Sequence, residues 1–97
     1  MTKLSSAWLV KFEYRAVKMR AFTSYDKAVT YYNEMVQNID EQIEESYYET
    51  KTTYTDDHKP LLTQFIYWNE DRTFRNILGF VSIKEIELEE SKNDTKN

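Results

Sequence analysis

Cysteine is absent from this chain, and glycine, proline and histidine occur once each. Each shortage removes a class of chemistry. Without thiols there is no disulfide framework, no cysteine nucleophile and no cysteine-based zinc site. That fits a reducing compartment. One glycine cannot build a phosphate-cradling glycine-rich loop. With one histidine, schemes that pair a nucleophile with an imidazole base have little to draw on. That residue, His58, lies in the charged stretch Asp56-Asp57-His58-Lys59-Pro60. Sequence neighbours in a turn rarely converge on one ion, and a metal site needs convergent, supported ligands. The stretch therefore reads as a solvated loop, and no metal, cofactor or catalytic residue is expected. No run approaches the ~18–20 apolar residues that cross a bilayer. The opening Met1-Thr2-Lys3-Leu4 lacks the apolar segment of a signal peptide. The expectation is a cytoplasmic protein without a membrane partner.

What is present is aromatic and charged. Tyrosine alone occurs eight times, with five phenylalanines and two tryptophans. Each such ring buries roughly 150–250 Å² when enclosed. A chain of 97 residues has material for one core, and two domains would leave each short of burial. Phe, Tyr, Ile, Asn and Lys dominate over Gly, Ala, Arg and Pro. That is the amino-acid signature of an AT-rich genome, such as that of a low-GC bacterium, its phage or a mobile element. The charge is uneven as well: a basic start is followed by an acidic middle and an acidic tail, and the formal net charge is −4.

Period-two alternation from Ala7 to Tyr14 predicts a strand with Trp8, Val10, Phe12 and Tyr14 on one face. A second, shorter strand is expected over Ala16–Phe22, with Val17, Met19 and Ala21 opposite Lys18 and Arg20. Joining the two as a hairpin requires a turn near Glu13–Ala16 without glycine or asparagine. Thr23-Ser24-Tyr25-Asp26 supplies a hydroxyl cap and a first-turn acid. The apolar positions Tyr25, Ala28, Val29, Tyr32, Met35, Val36, Ile39 and Ile43 then recur at helical spacing. The helix is predicted to run from Ser24 to Glu45, with Lys27, Thr30, Glu34, Asn38, Glu41 and Glu45 facing solvent. Tyr48–Tyr54 is rich in threonine and tyrosine and reads as a strand. Leu61–Trp68 is apolar on both faces and is expected to be the central strand. Gly79 is expected where φ is positive. Phe80–Leu88 reads as a last strand, although Phe80, Ile83 and Ile86 also suit a short helix. Residues 1–88 are expected to form one domain, and 89–97 a disordered acidic and polar tail. The order β-β-α-β-β-β implies an α+β fold, an antiparallel sheet with one long amphipathic helix on a face.

Such a fold hosts unrelated activities, so function must come from surfaces. Asp40, Glu41, Glu44, Glu45 and Glu49 gather at the C-terminal end of the predicted helix, where the helix dipole disfavours anions. The leading expectation is a non-catalytic protein-binding module whose acidic ridge engages a basic protein. In a phage or mobile element this would be an accessory protein that inhibits a host nucleic-acid-acting or defence enzyme. The alternative is a nucleic-acid binder that uses Lys11, Arg15, Lys18 and Arg20 with interleaved aromatic residues. The acidic balance opposes it, since dedicated binders carry a net basic domain. A third expectation concerns the sheet. One helix covers one face, yet Leu61–Trp68 presents large apolar side chains to both, so either a homodimer or a folded-back C-terminal segment should cover the second.

Overall fold

The computed structural model describes residues 4–44 and 48–89. Five strands, β1 (Leu4–Glu13), β2 (Val17–Phe22), β3 (Tyr48–Tyr54), β4 (Pro60–Trp68) and β5 (Arg75–Glu89), form one antiparallel sheet in the order β2-β1-β5-β4-β3. A single helix, α1 (Tyr25–Gln42), follows β2 and packs on one face. This is the α+β architecture that the periodicities imply. No helix among the described residues is long and apolar enough to cross a membrane. Residues 90–97, the greater part of the expected tail, lie outside the described residues.

Local chemistry accounts for the ends of α1. Ser24 is the N-cap, in extended conformation, and its Oγ accepts a hydrogen bond from the Lys27 N–H at 3.3 Å. Asp26 sits in the first turn, where the exposed N–H groups favour negative charge. The helix stops short of the expected Glu45. Ile43 turns extended while its N–H still donates to the Ile39 carbonyl at 3.1 Å, and its side chain stays buried. No glycine closes this end. The hydroxyls of Tyr48 and Tyr14 approach the Asp40 and Gln42 carbonyls at 3.4 and 3.5 Å, addressing groups that the helix leaves unpaired.

The core lies between α1 and the three middle strands. Val10, Phe65, Val81 and Ile83 meet Ala28, Tyr32 and Ile39 there, with Trp8 and Phe12 at the margins. The expected face of β1 is therefore the helix-facing one. Val29 and Val36 are only half-buried, because they flank the line of closest approach.

Two expectations need correction. The central strand is β5, the fifteen-residue C-terminal one; β4 lies one place from the edge, and its two apolar faces reflect burial under α1 on one side and, on the other, a partly covered apolar surface in which Ile66 is buried between half-buried Leu62 and Trp68. The last strand forms as expected, and the alternative of a short helix is set aside: Phe80, Ile83 and Ile86 belong to β5, whose pairing with β1 and β4 satisfies its backbone. The strand runs to Glu89. Gly79 does not have positive φ. A Cβ there would meet the Glu13 carbonyl oxygen at 2.5 Å and the Tyr14 Cβ at 3.1 Å, so the position is glycine for want of space where β1 ends across β5. Left-handed backbone falls instead on Arg15, His58 and Arg72, and Arg15 supplies the glycine-free turn of the β1–β2 hairpin. The alternation expected for β2 is present, and its apolar side is open: Val17 is 55% and Met19 61% exposed. Phe22 packs on the helix side, so alternation sends Val17, Met19 and Ala21 to the far face.

Candidate functional site

Helical periodicity decides which acids share a surface. On α1 the positions 34, 38 and 41 form one solvent-facing row, and 33, 37 and 40 its neighbour. Asp26, Glu34, Asp40 and Glu41 are all exposed on this exterior, as is Glu44 just past the cap. Lys27 is the only base in the helix, and its last turn holds none. Among the described residues no ion pair neutralises these acids, whereas Arg72 does pair with Glu49 at 3.8 Å.

The five predicted ridge residues do not stay together. Asp40, Glu41 and Glu44 remain as one acidic end of the helix. Glu45 lies outside the described residues. Glu49 follows Tyr48, which packs toward the core, and alternation places Glu49 on the sheet face away from α1. There it meets Arg72, whose guanidinium also covers the Trp68 ring at 5.1 Å. Asp40 is not a free carboxylate either. It accepts a hydrogen bond from the Tyr48 hydroxyl, and this bond is the main reason the Tyr48 phenol is held above its ordinary value, with burial adding to it. Glu41 accepts from Gln37 Nε2 at 3.2 Å. Glu34 was missing from the predicted ridge, although its spacing of seven from Glu41 puts it on the same row. That spacing was the signal available.

The basic residues Lys11, Arg15, Lys18 and Arg20 are also divided. Lys11 lies on the open face, its Nζ 5.9 Å from the Phe80 ring centre. Arg15 sits in the hairpin turn over Tyr14. Arg20 stacks on Phe22 and Tyr31 at 5.1 and 5.3 Å, and with Asp26 and Glu34 it borders a shallow groove of about 350 Å³ between β2 and α1. Lys18 borders the next groove along, beside Asn38 and Gln42. The four cations thus reach two faces and a turn, and two of them flank the acidic helix.

The turn that carries His58 is exposed. The His58 N–H donates to the Thr55 carbonyl at 2.9 Å, closing the turn locally. Among the described residues no three histidine, aspartate or glutamate side chains converge as metal ligands would.

The sheet face away from α1 has a different character. Strand register aligns Met19, Lys11, Ser82, Leu62 and Thr53 in one row across it, and Val17, Glu13, Phe80, Gln64 and Lys51 in the next. Ile77 and Ile66 pair beyond these, and Arg75 and Trp68 beyond them. Lys84, opposite Leu9, adds a further cation. The molecule is therefore two-sided, with acids concentrated on the helix and lysines among apolar side chains on the open sheet. Comparison with known protein families, with curated proteins and with solved structures yields no match.

Proposed function

We propose that this chain is a non-catalytic protein-binding module that engages a basic partner through the acidic exterior of α1. One observation carries the reading: the exposed acids of α1 have no ion-pair partner among the described residues, and two of them, Asp40 and Glu41, occupy a last turn without a base. Anions there oppose the helix dipole at a cost of about 0.3–1 kcal/mol each when exposed. A binding surface gives that cost a purpose. Such a surface also speeds encounter with a cationic cleft, because complementary fields steer association.

The partner class that suits it is a basic, anion-binding groove such as nucleic-acid-acting or defence enzymes present. The AT-rich composition and small size favour a cytoplasmic accessory protein of a phage or mobile element that occupies and inhibits such a groove. The experiment is capture from an extract of a low-GC bacterium, washed at high salt, by the natural chain and by two charge-matched triple variants. Glu34→Lys, Glu41→Lys and Glu44→Lys together should abolish retention of a basic nucleic-acid-acting protein. Asp56→Lys, Asp57→Lys and Glu87→Lys together should leave it intact. Equal retention by both variants would remove the helix from the account.

A further inference from the structure

We infer that the open sheet face is the contact between two copies of this chain, related by a two-fold axis that crosses the strands between the Lys11 and Glu13 rows. The inference is independent of the partner proposed for α1. It begins from exposure: Met19 is 61%, Val17 55% and Ile77 41% exposed, and Leu62 and Phe80 beside them are only half-covered. Exposed apolar side chains gathered on one sheet face, even interleaved with charges, mark an interaction site. Residues 80–88 do not fold back over it, since they belong to β5, where Phe80 and Ile86 add to the face.

Charge on this face selects the occupant. Lys11 and Glu13 are two residues apart on β1, so they point the same way in adjacent rows. Lys11 is opposite Met19 and Ser82, and Glu13 opposite Val17 and Phe80. A two-fold axis lying between these rows, in the plane between two facing sheets, sets each row of one copy on the other row of its mate. Lys11 then faces Glu13 of the second copy, twice over, and Met19 faces Val17. The pairing is self-complementary, as a two-fold contact must be. Five strands about 4.8 Å apart and four outward rows about 6.8 Å apart give a face of roughly 650 Å² per copy. Two such faces bury roughly 1,300 Å², inside the range of specific pairs. The acidic helices are left on the two outer sides.

The pairing makes a reciprocal prediction. Light scattering on the natural chain at micromolar concentration should give twice 11.7 kDa, falling toward 11.7 kDa on dilution. Lys11→Glu alone sets glutamate against glutamate, and Glu13→Lys alone sets lysine against lysine, so each should run as a monomer. An equimolar mixture of the two should recover the dimer mass, and the double variant Lys11→Glu/Glu13→Lys should dimerise by itself. Circular dichroism melts of each variant verify folding, and the double variant carries the test if one single variant fails to fold. A natural chain that stays at 11.7 kDa throughout, single variants that remain dimeric, or a mixture and double variant that remain monomeric would each overturn the inference.

Discussion

The hydroxyl of Tyr32 on α1 meets Oγ1 of Thr63 on β4 at 2.5 Å inside the helix–sheet interface. Tyr32 is 2% and Thr63 3% exposed, and Thr63 Oγ1 continues to Thr52 Oγ1 on β3 at 2.9 Å. A short polar chain thus ties the helix to the edge of the sheet through a largely apolar core. Removing one member leaves another buried without its partner, which costs about 1–3 kcal/mol, whereas removing both costs little. Thr63→Val should therefore lower stability more than Tyr32→Phe, whose cost is about 0.5–1.5 kcal/mol. The double variant should be more stable than Thr63→Val alone. Urea unfolding of the three proteins checks the order, and a loss in the double variant equal to the sum of the two single losses would show that the hydroxyls are not coupled.

The same contact predicts an alkaline limb. Burial disfavours the phenolate and raises the Tyr32 phenol above its ordinary value of 10.0, only partly offset by the bond to Thr63. As pH rises past about 10 the unfolded chain releases this proton first. The stability it contributes is thus complete below the ordinary value and is lost as pH climbs toward the folded one. The measurement is a difference between two proteins that share every other group. The gap between the natural chain and Tyr32→Phe should narrow above pH 10, and a gap that stays constant to pH 11.5 would contradict the assignment.

At Gly79 the obstacle is the neighbouring backbone, not an unusual φ. Gly79→Ala forces apart the end of β1 and the middle of β5, the pair that carries the core residues Val10, Val81 and Ile83. Overpacking of this kind costs about 1–3 kcal/mol, and Gly79→Val should cost more. If alanine instead raised the melting temperature, as it does where glycine serves no purpose, the crowding would be refuted.

These cases show which parts of the fold the amino-acid order made legible. The strand β1 and the stripe of α1 announce themselves because their faces are set by neighbours in sequence. Tyr48–Tyr54 was expected residue for residue. What escaped depends on contacts between distant segments. Nothing local in Arg75–Glu89 says that it will lie between β1 and β4, and the reason for Gly79 is a carbonyl sixty-six positions earlier. The alternation of β2 is legible as well, but not which of its faces is covered, because an apolar face is buried only if something lies over it. The acids of the ridge are neighbours in sequence, and the sheet divides them: Glu49 is five residues past Glu44 in the chain, yet its side chain lies on the sheet face away from α1.

Burial along the helix stripe grades the expected losses there. Ile39 is 1% exposed and Val36 half-buried, so Ile39→Ala should cost about 2–5 kcal/mol and Val36→Ala distinctly less. For a domain whose total stability is about 5–15 kcal/mol, the first loss is a large share. Val36→Asp adds the desolvation of an unpaired charge and should unfold the protein or melt it far below the others. A cooperative, near-native melt for Val36→Asp would mean that the wrong side of α1 has been assigned to the sheet.

Stability and binding should move in opposite directions at the end of α1. Glu41 stands in the last turn beside Asp40, where the unpaired carbonyls present partial negative charge. Glu41→Lys replaces a repulsion with an attraction of about 0.3–1 kcal/mol. It also removes a solvent-exposed bond from Gln37, which contributes little. The melting temperature should rise by a few degrees, the shift that about 1 kcal/mol produces in a domain of this size. If the helix exterior is the contact with a basic partner, the same substitution should weaken capture and make what remains less sensitive to salt, since one attractive charge has become repulsive. A surface that serves solubility alone gives the first effect without the second. Stabilisation with undiminished capture would therefore assign the acids of α1 to solubility, and stabilisation with loss of capture would identify a surface kept acidic at the expense of the fold.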